Sequence, residues 1–265
     1  MSSKTLDIFV LILLFLFASA YTYLTKDLFI GKALFSGMVY FLPSVIYLGL
    51  RSKKYWKKIM VSTLIFGGLF GFIFEFIQEF NQAYRVTSHV FPRILGVVPL
   101  DNILGHMLMA FLTLVFYEHF IDRKKTSHVS KHIFFALIPS LIVIILTLFL
   151  FIVKPDLLIL RYPYFYMGLA AIIPPILLGL TKPAFIKDMA TVAIYFFFLY
   201  FIVEIVAVKL SWWIYPGNNY IGQVTVAGVT YPFEELFFWM MFYAASLVSY
   251  YELFIDENKF NLLDN

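Results

Sequence analysis

The sequence predicts an all-α polytopic membrane protein with about eight transmembrane helices in two parallel four-helix repeats. Three observations carry this. Hydrophobic residues make up 62% of the 265 positions and charged residues only 14%, with a mean hydropathy of +0.87. A soluble domain carries about 25% charged residues, so most of this surface does not face water. Eight stretches are apolar over the roughly 20 residues a spanning helix needs. Finally, short motifs recur in order at offsets of 129 to 134 residues.

The spans are residues 6–24, 34–50, 59–80, 100–121, 133–153, 164–180, 189–210 and 232–255. The first follows Lys4, and its Ala18-Ser19-Ala20 also resembles a signal-peptide cleavage site. Its place in the repeat argues for keeping it as a helix. The second contains Pro43 and ends in Leu48-Gly49-Leu50. The third starts after Lys57-Lys58 and carries Glu75 and Glu79. The fourth opens at Pro99-Leu100-Asp101-Asn102, with His106 one turn on. The fifth has no ionisable residue. The sixth holds Pro174 and ends in Leu178-Gly179-Leu180. The seventh carries Glu204, and the eighth opens at Pro232-Phe233-Glu234-Glu235.

The recurrences define the repeat. Leu48-Gly49-Leu50 returns as Leu178-Gly179-Leu180, and Glu75 as Glu204. Pro99 to Asn102 returns as Pro232 to Glu235, and Tyr117-Glu118 to Asp122 as Tyr251-Glu252 to Asp256. Residues 1–128 then form the first membrane repeat, and residues 129–265 the second, with the main site. Four helices per copy is an even number, so both copies enter the membrane in the same sense. Basic residues number 13 on the side of the termini and 7 on the other. The positive-inside rule therefore places both termini in the cytoplasm of an inner-membrane protein.

Composition also bounds function. Cys is 0, which removes disulfide frameworks and thiolate chemistry. The basic balance is a topology signal, and its loops are too short for a nucleic-acid domain. Phe 32, Tyr 18 and Trp 4 suit lipid contact, or the walls of a cavity for a long apolar or cationic ligand.

Ionisable residues inside a membrane default to functional candidates. Here they are Glu75, Asp101, Glu204, Glu234 and Glu235. For Asp101, Glu234 and Glu235 the plain alternative is helix capping just after a proline. For Glu75 and Glu204 it is a buried hydrogen bond between helices, and for His106 it is packing. The loop from Trp212 to Gly222 reads Trp-Trp-Ile-Tyr-Pro-Gly-Asn-Asn-Tyr-Ile-Gly. It suits an aromatic belt, or a lid of tight turns over the last helix.

Glu204, Trp213-Ile214-Tyr215, Tyr220-Ile221-Gly222 and Pro232-Phe233-Glu234-Glu235-Leu236-Phe237-Phe238 together resemble the membrane-integral lycopene cyclase domain family. That family is built from two similar three-helix units. The resemblance covers the last three helices well and helices 2–4 weakly. The chain departs from it in having Val203-Glu204 and Phe74-Glu75 where the family has Trp-Asp, Asp101-Asn102 in the first copy, and two added helices. It implies non-redox, acid-catalysed cyclisation of a linear carotene end group. Glu234, Glu235, Glu204, Glu75 and Asp101 would be the catalytic acids. Trp212, Trp213, Tyr215, Tyr220, Phe237 and Phe238 would be the substrate-binding aromatics. No cofactor or metal is expected. The expected partners are a lipophilic isoprenoid and membrane lipid, with a second copy or other carotenoid enzymes as protein partners and no nucleic acid.

Two other classes stay open: a proton-coupled secondary transporter with parallel repeats, and a non-catalytic membrane partner of isoprenoid enzymes. A Glu-Glu metalloprotease would need Arg at position 238 and later histidines, but the chain has Phe238 and no His after Glu235.

Overall fold

The computed structural model describes residues 3–25, 32–122 and 127–255. Lys26, residues 123–125, Asp256 and Lys259, used in the charge count or the repeat, lie outside the described residues. Eight helices follow in order. They are α1 (Ser3–Thr25), α2 (Ala33–Arg51), α3 (Lys53–Phe80), α4 (Leu100–Ile121), α5 (Ile133–Val153), α6 (Pro163–Thr181) and α7 (Phe185–Lys209), then α8, which runs from a π segment, Glu235–Phe242, into Tyr243–Phe254. By length and composition, α1 to α7 can each cross a membrane. The eighth expected span does form a helix, but it is not among these seven. It holds Glu235 and Glu252 where a lipid-facing span would be apolar.

The apolar surplus divides as a bilayer requires. Residues of α1, α5 and α6 such as Phe17, Ile145, Ile152 and Leu180 are exposed. The core gathers around α4, the most buried span, which packs on α2, α3 and α8. Helix α8 also packs on α6 and α7. The two remaining helices sit differently: α1 lies along α2, whereas α5 lies along α3 and α8.

Departures from regular helix have local causes. The π turn Gly37–Phe41 precedes Pro43, whose ring would otherwise clash with the carbonyl one turn back. A second π stretch, Thr63–Leu69, contains Gly67, and Gly71 follows one turn later. A Cβ on Gly67 would stand 2.9 Å from the Met107 Cα, and one on Gly71 3.3 Å from the His106 Cβ. This pair of small residues lets α3 and α4 approach backbone to backbone.

On one side of the bundle the loops form three short antiparallel pairings: β1 (Arg85–Val86) with β4 (Trp213–Ile214), β2 (Arg93–Ile94) with β3 (Val98–Pro99), and β5 (Gln223–Val226) with β6 (Val229–Pro232). Arg85 pairs with Ile214. Both loops leave their helix through a residue at positive φ, Gln82 at 54° and Ser211 at 54°, and each hairpin turns through Leu95-Gly96 or Ala227-Gly228.

The other end of the bundle holds buried charge. Lys58, fully buried, lies 2.6 Å from Glu118, which also accepts a hydrogen bond from the Tyr251 hydroxyl. Reciprocally, Tyr117 hydrogen-bonds Glu252. Asp7 of α1 takes Tyr47, Arg51 and His119.

Candidate functional site

The site is built where α3, α4, α7 and α8 meet the loops. On α3, Glu75 and Gln78 are one turn apart and face inward. The close approach at Gly71 seats His106 of α4 against them. Its Nε2 is 2.8 Å from Glu75 Oε1 and 3.5 Å from Asn102 Nδ2. The His106 ring meets Trp239 of α8 edge to face, with centroids 4.9 Å apart.

From α7, Glu204 accepts two hydrogen bonds on Oε1, from Trp213 Nε1 at 2.9 Å and the Tyr215 hydroxyl at 2.6 Å. The positive-φ turn at Ser211 makes this local geometry. It lets the Trp212 amide reach back to the Ala207 carbonyl at 2.8 Å, and so folds the aromatic loop over the end of its own helix. Glu235 of α8 is buried beside the hydroxyls of Tyr164 and Tyr215. Tyr84, from the first loop, stands among Glu75, Glu79, Glu204 and Glu235. Burial first, and then those carboxyls, push the Tyr84 hydroxyl well above its ordinary value. The same two causes act on Tyr215. Both hydroxyls therefore remain protonated, and that of Tyr215 donates to Glu204.

These groups surround a cavity of about 450 Å³, within the range that holds a drug-sized ligand or one end of a longer chain. Its walls are mainly aromatic and aliphatic: Phe41, Phe66, Phe70, Phe74, Phe238 and Trp239 among them. The polar lining comprises Glu75, Gln78, Asn102, His106, Glu204 and Glu235, with Tyr84, Tyr164, Tyr200, Tyr243 and Ser246. Five of its polar atoms are buried without a hydrogen-bond partner: Glu75 Oε2, Gln78 Oε1, Glu235 Oε2, the Tyr243 hydroxyl and Ser246 Oγ. Unpartnered buried atoms also occur elsewhere in the bundle, as at Tyr40 and Tyr231, but these five gather around one space that an occupant with polar groups could fill. The cavity reaches the outside between α5 and α6. Phe135, Pro139 and Val143 of α5 and Ala170 of α6 both line it and are exposed. That opening faces the apolar belt.

The expected site residues separate into two groups. Glu75, Glu204, Glu235, Trp213 and Phe238 line the cavity. Glu234 does not: its Oε1 accepts the Ile221 amide at 2.7 Å and holds the second loop. Asp101 likewise accepts the amides of Val90 at 2.5 Å and Phe91 at 3.0 Å, holding the first. Both carboxylates are tied to backbone because the loops turn directly over the helix starts. Tyr215 is a layer behind, reaching the cavity through Glu204. Trp212 is buried edge to face against Phe35. Tyr220 donates to the Ala83 carbonyl at 2.7 Å, joining the two loops, and its hydroxyl is pushed up to about 12 by burial. Phe237 stacks on Phe233 away from the cavity. Gln78, Tyr84, Tyr164, Trp239, Tyr243 and Ser246 were not expected. Helical spacing holds the signal for some of them: Gln78 follows Glu75 by three residues, and Trp239 and Tyr243 follow Glu235 by four and eight.

Among the described residues no group of three or more His, Asp or Glu side chains could hold a metal ion. Comparison of the chain with protein-family models, with curated proteins and with solved structures finds no match.

Proposed function

We propose that the chain is a membrane enzyme that cyclises the end of a linear isoprenoid, of the lycopene-to-β-carotene type, by acid–base chemistry without redox. The observation that carries this reading is the convergence of Glu75, Glu204 and Glu235 on one aromatic cavity open to the apolar belt. A long polyene dissolves in the bilayer and would enter sideways, between α5 and α6. Glu235 is the proton donor: like Glu75 it presents an unpartnered Oε2 to the cavity, but among the described residues it has no imidazole beside it, whereas Glu75 is paired with His106. The proton adds to the terminal double bond. The resulting cation is attacked by an internal double bond, which closes a six-membered ring. Glu75, held by His106, removes a ring proton, and passage of that proton back to Glu235 restores the starting state; substrate and product are isomers, so no oxidant or reductant is needed. Trp239 and Phe238 present π faces to the passing cation. Glu204 anchors the aromatic floor through Trp213 and Tyr215.

The same reading includes an internal duplication with both termini cytoplasmic in an inner membrane. Several facts support the duplication. Residues 129 apart make the same turn at Gln82 and Ser211. Asp101 and Glu234 hold equivalent loop amides. Arg85 pairs with its own counterpart, Ile214, as expected across a two-fold axis. Tyr251 and Tyr117 exchange hydrogen bonds with Glu118 and Glu252. These matches belong to α2–α4 and α6–α8, while α1 and α5 rest on different neighbours.

Polar groups from both halves in one cavity, Asn102 and His106 against Glu204 and Glu235, favour a proton-coupled transporter as the second reading. Expression in a lycopene-accumulating host decides between them. Ring-bearing carotenes in the extracted pigment support the cyclase. Unchanged lycopene, with the protein present in the membrane, rejects lycopene as the substrate, and acyclic pigment left unchanged in a host that also makes oxygenated carotenes rejects the cyclase.

A further inference from the structure

The acid end of the cavity accounts for only three of its five unpaired polar atoms. The other two, the Tyr243 hydroxyl and Ser246 Oγ, lie deeper along α8 and also line the cavity. Tyr243 follows Glu235 by eight residues and Ser246 by eleven, which at helical rise is roughly 12–17 Å from the acid. A third hydroxyl joins them across the cavity. Tyr200 of α7 lines it too, bonded to Thr113 at 3.0 Å, and its ring meets that of Tyr243 edge to face at 5.8 Å. Around this station the walls are hydrocarbon: Phe41, Phe66, Leu247 and Met109. Two donors left open among apolar groups are a recognition element for oxygen. A pure hydrocarbon at this depth would cover them and leave both unpaired, and each bond left unmade costs an affinity factor of about ten.

We propose that the ligand of this cavity is an isoprenoid carrying a hydroxyl or carbonyl oxygen, placed roughly 12–17 Å from the end that meets Glu235, and that Tyr243 and Ser246 read that oxygen. The inference rests on the isoprenoid reading above and names its substrate class. Discrimination follows from the same physics: a site built to bond an oxygen rejects the analogue that lacks it more strongly than an apolar slot rejects an extra group. Tyr243 is held for this by Trp239, whose ring lies 4.4 Å from its own. The hydroxyl position is therefore set by packing, without a competing protein partner.

The test is pigment binding, read by absorbance on the full chain in lipid nanodiscs, so that it does not depend on turnover. The probes are lycopene, an acyclic carotene of the same length bearing a hydroxyl, and one bearing a keto group. The expected result is at least tenfold tighter binding of an oxygenated probe. Tyr243→Phe and Ser246→Ala each reduce that preference severalfold, because the oxygenated probe loses a bond and lycopene no longer covers an unpaired hydroxyl. Equal binding of all three probes overturns this inference, assigns the two hydroxyls to buried water, and leaves the isoprenoid reading standing. A preference that survives both substitutions also overturns it. Failure of every probe to bind overturns the isoprenoid reading itself, and this inference with it.

Discussion

The Tyr215 hydroxyl donates to Glu204 across 2.6 Å, and the same carboxyl oxygen takes the Trp213 indole N–H at 2.9 Å. Two residues of an extramembrane loop thereby clamp one buried acid of α7. The loop is fixed to the bundle by the group that would otherwise be the costliest to bury.

Removing the closer donor tests that clamp. Tyr215→Phe keeps the ring, which packs against Tyr84 and Tyr164, and deletes only the hydroxyl. The expected loss is about 1–3 kcal/mol of stability, the usual cost of taking a partner from a buried polar group. Unfolding followed by tryptophan fluorescence in detergent measures it, and an unchanged midpoint would mean the clamp holds nothing.

Glu234 and Glu235 are adjacent in sequence and opposite in role. Glu235→Gln is expected to cut cyclisation by about 10²–10⁴-fold, as loss of a positioned acid does. Glu234→Gln is expected to keep most of the activity and instead to loosen the loop at Ile221, whose amide Glu234 holds. Pigment analysis reads the first effect, and hydrogen exchange at residues 218–224 the second. A reversal of the two phenotypes would move the acid to Glu234.

The fold class was legible because a membrane span advertises itself by length and apolarity, and α1 to α7 needed nothing else. The eighth was harder to read, since its inward face carries Glu235, Ser246 and Glu252. The candidate acids were legible for the same reason that they are costly: an ionisable residue between apolar neighbours stands out. Which of them met in space was not. Asp101 and Glu234 sit at the same sequence depth as Glu235, and only the path of the loops sends them to backbone amides instead of the cavity. Tyr164 carries no sequence signal at all among 18 tyrosines.

The buried Lys58–Glu118 pair makes a stability prediction independent of the site. Neither side chain is exposed, and they are 2.6 Å apart. Lys58→Met leaves a carboxyl in an apolar setting and is expected to cost about 3–5 kcal/mol, whereas changing both residues to apolar ones of similar volume recovers most of the loss. A double-mutant cycle on unfolding measures the coupling, and additive single effects would mean the pair is not coupled.

Gly67 and Gly68 are neighbours in the same π stretch of α3 and separate packing from helix propensity. A methyl on Gly67 would stand 2.9 Å from the Met107 Cα and 3.1 Å from the His106 carbonyl oxygen, backbone atoms that can yield only if α4 moves away. A methyl on Gly68 would meet nothing closer than 4.0 Å. Gly67→Ala is therefore expected to destabilise by about 1–3 kcal/mol through overpacking, and Gly68→Ala to be neutral or to stabilise by about 0.5–1 kcal/mol, because alanine loses less backbone freedom in a helix. The functional consequence follows from where α4 would go. Its retreat carries His106 away from Glu75, 2.8 Å from it in the parent, so Gly67→Ala should also lower cyclisation in any protein that still folds, while Gly68→Ala should not. Equal effects of the two substitutions on both measurements would show that the close approach of α3 and α4 does not set the His106–Glu75 pair.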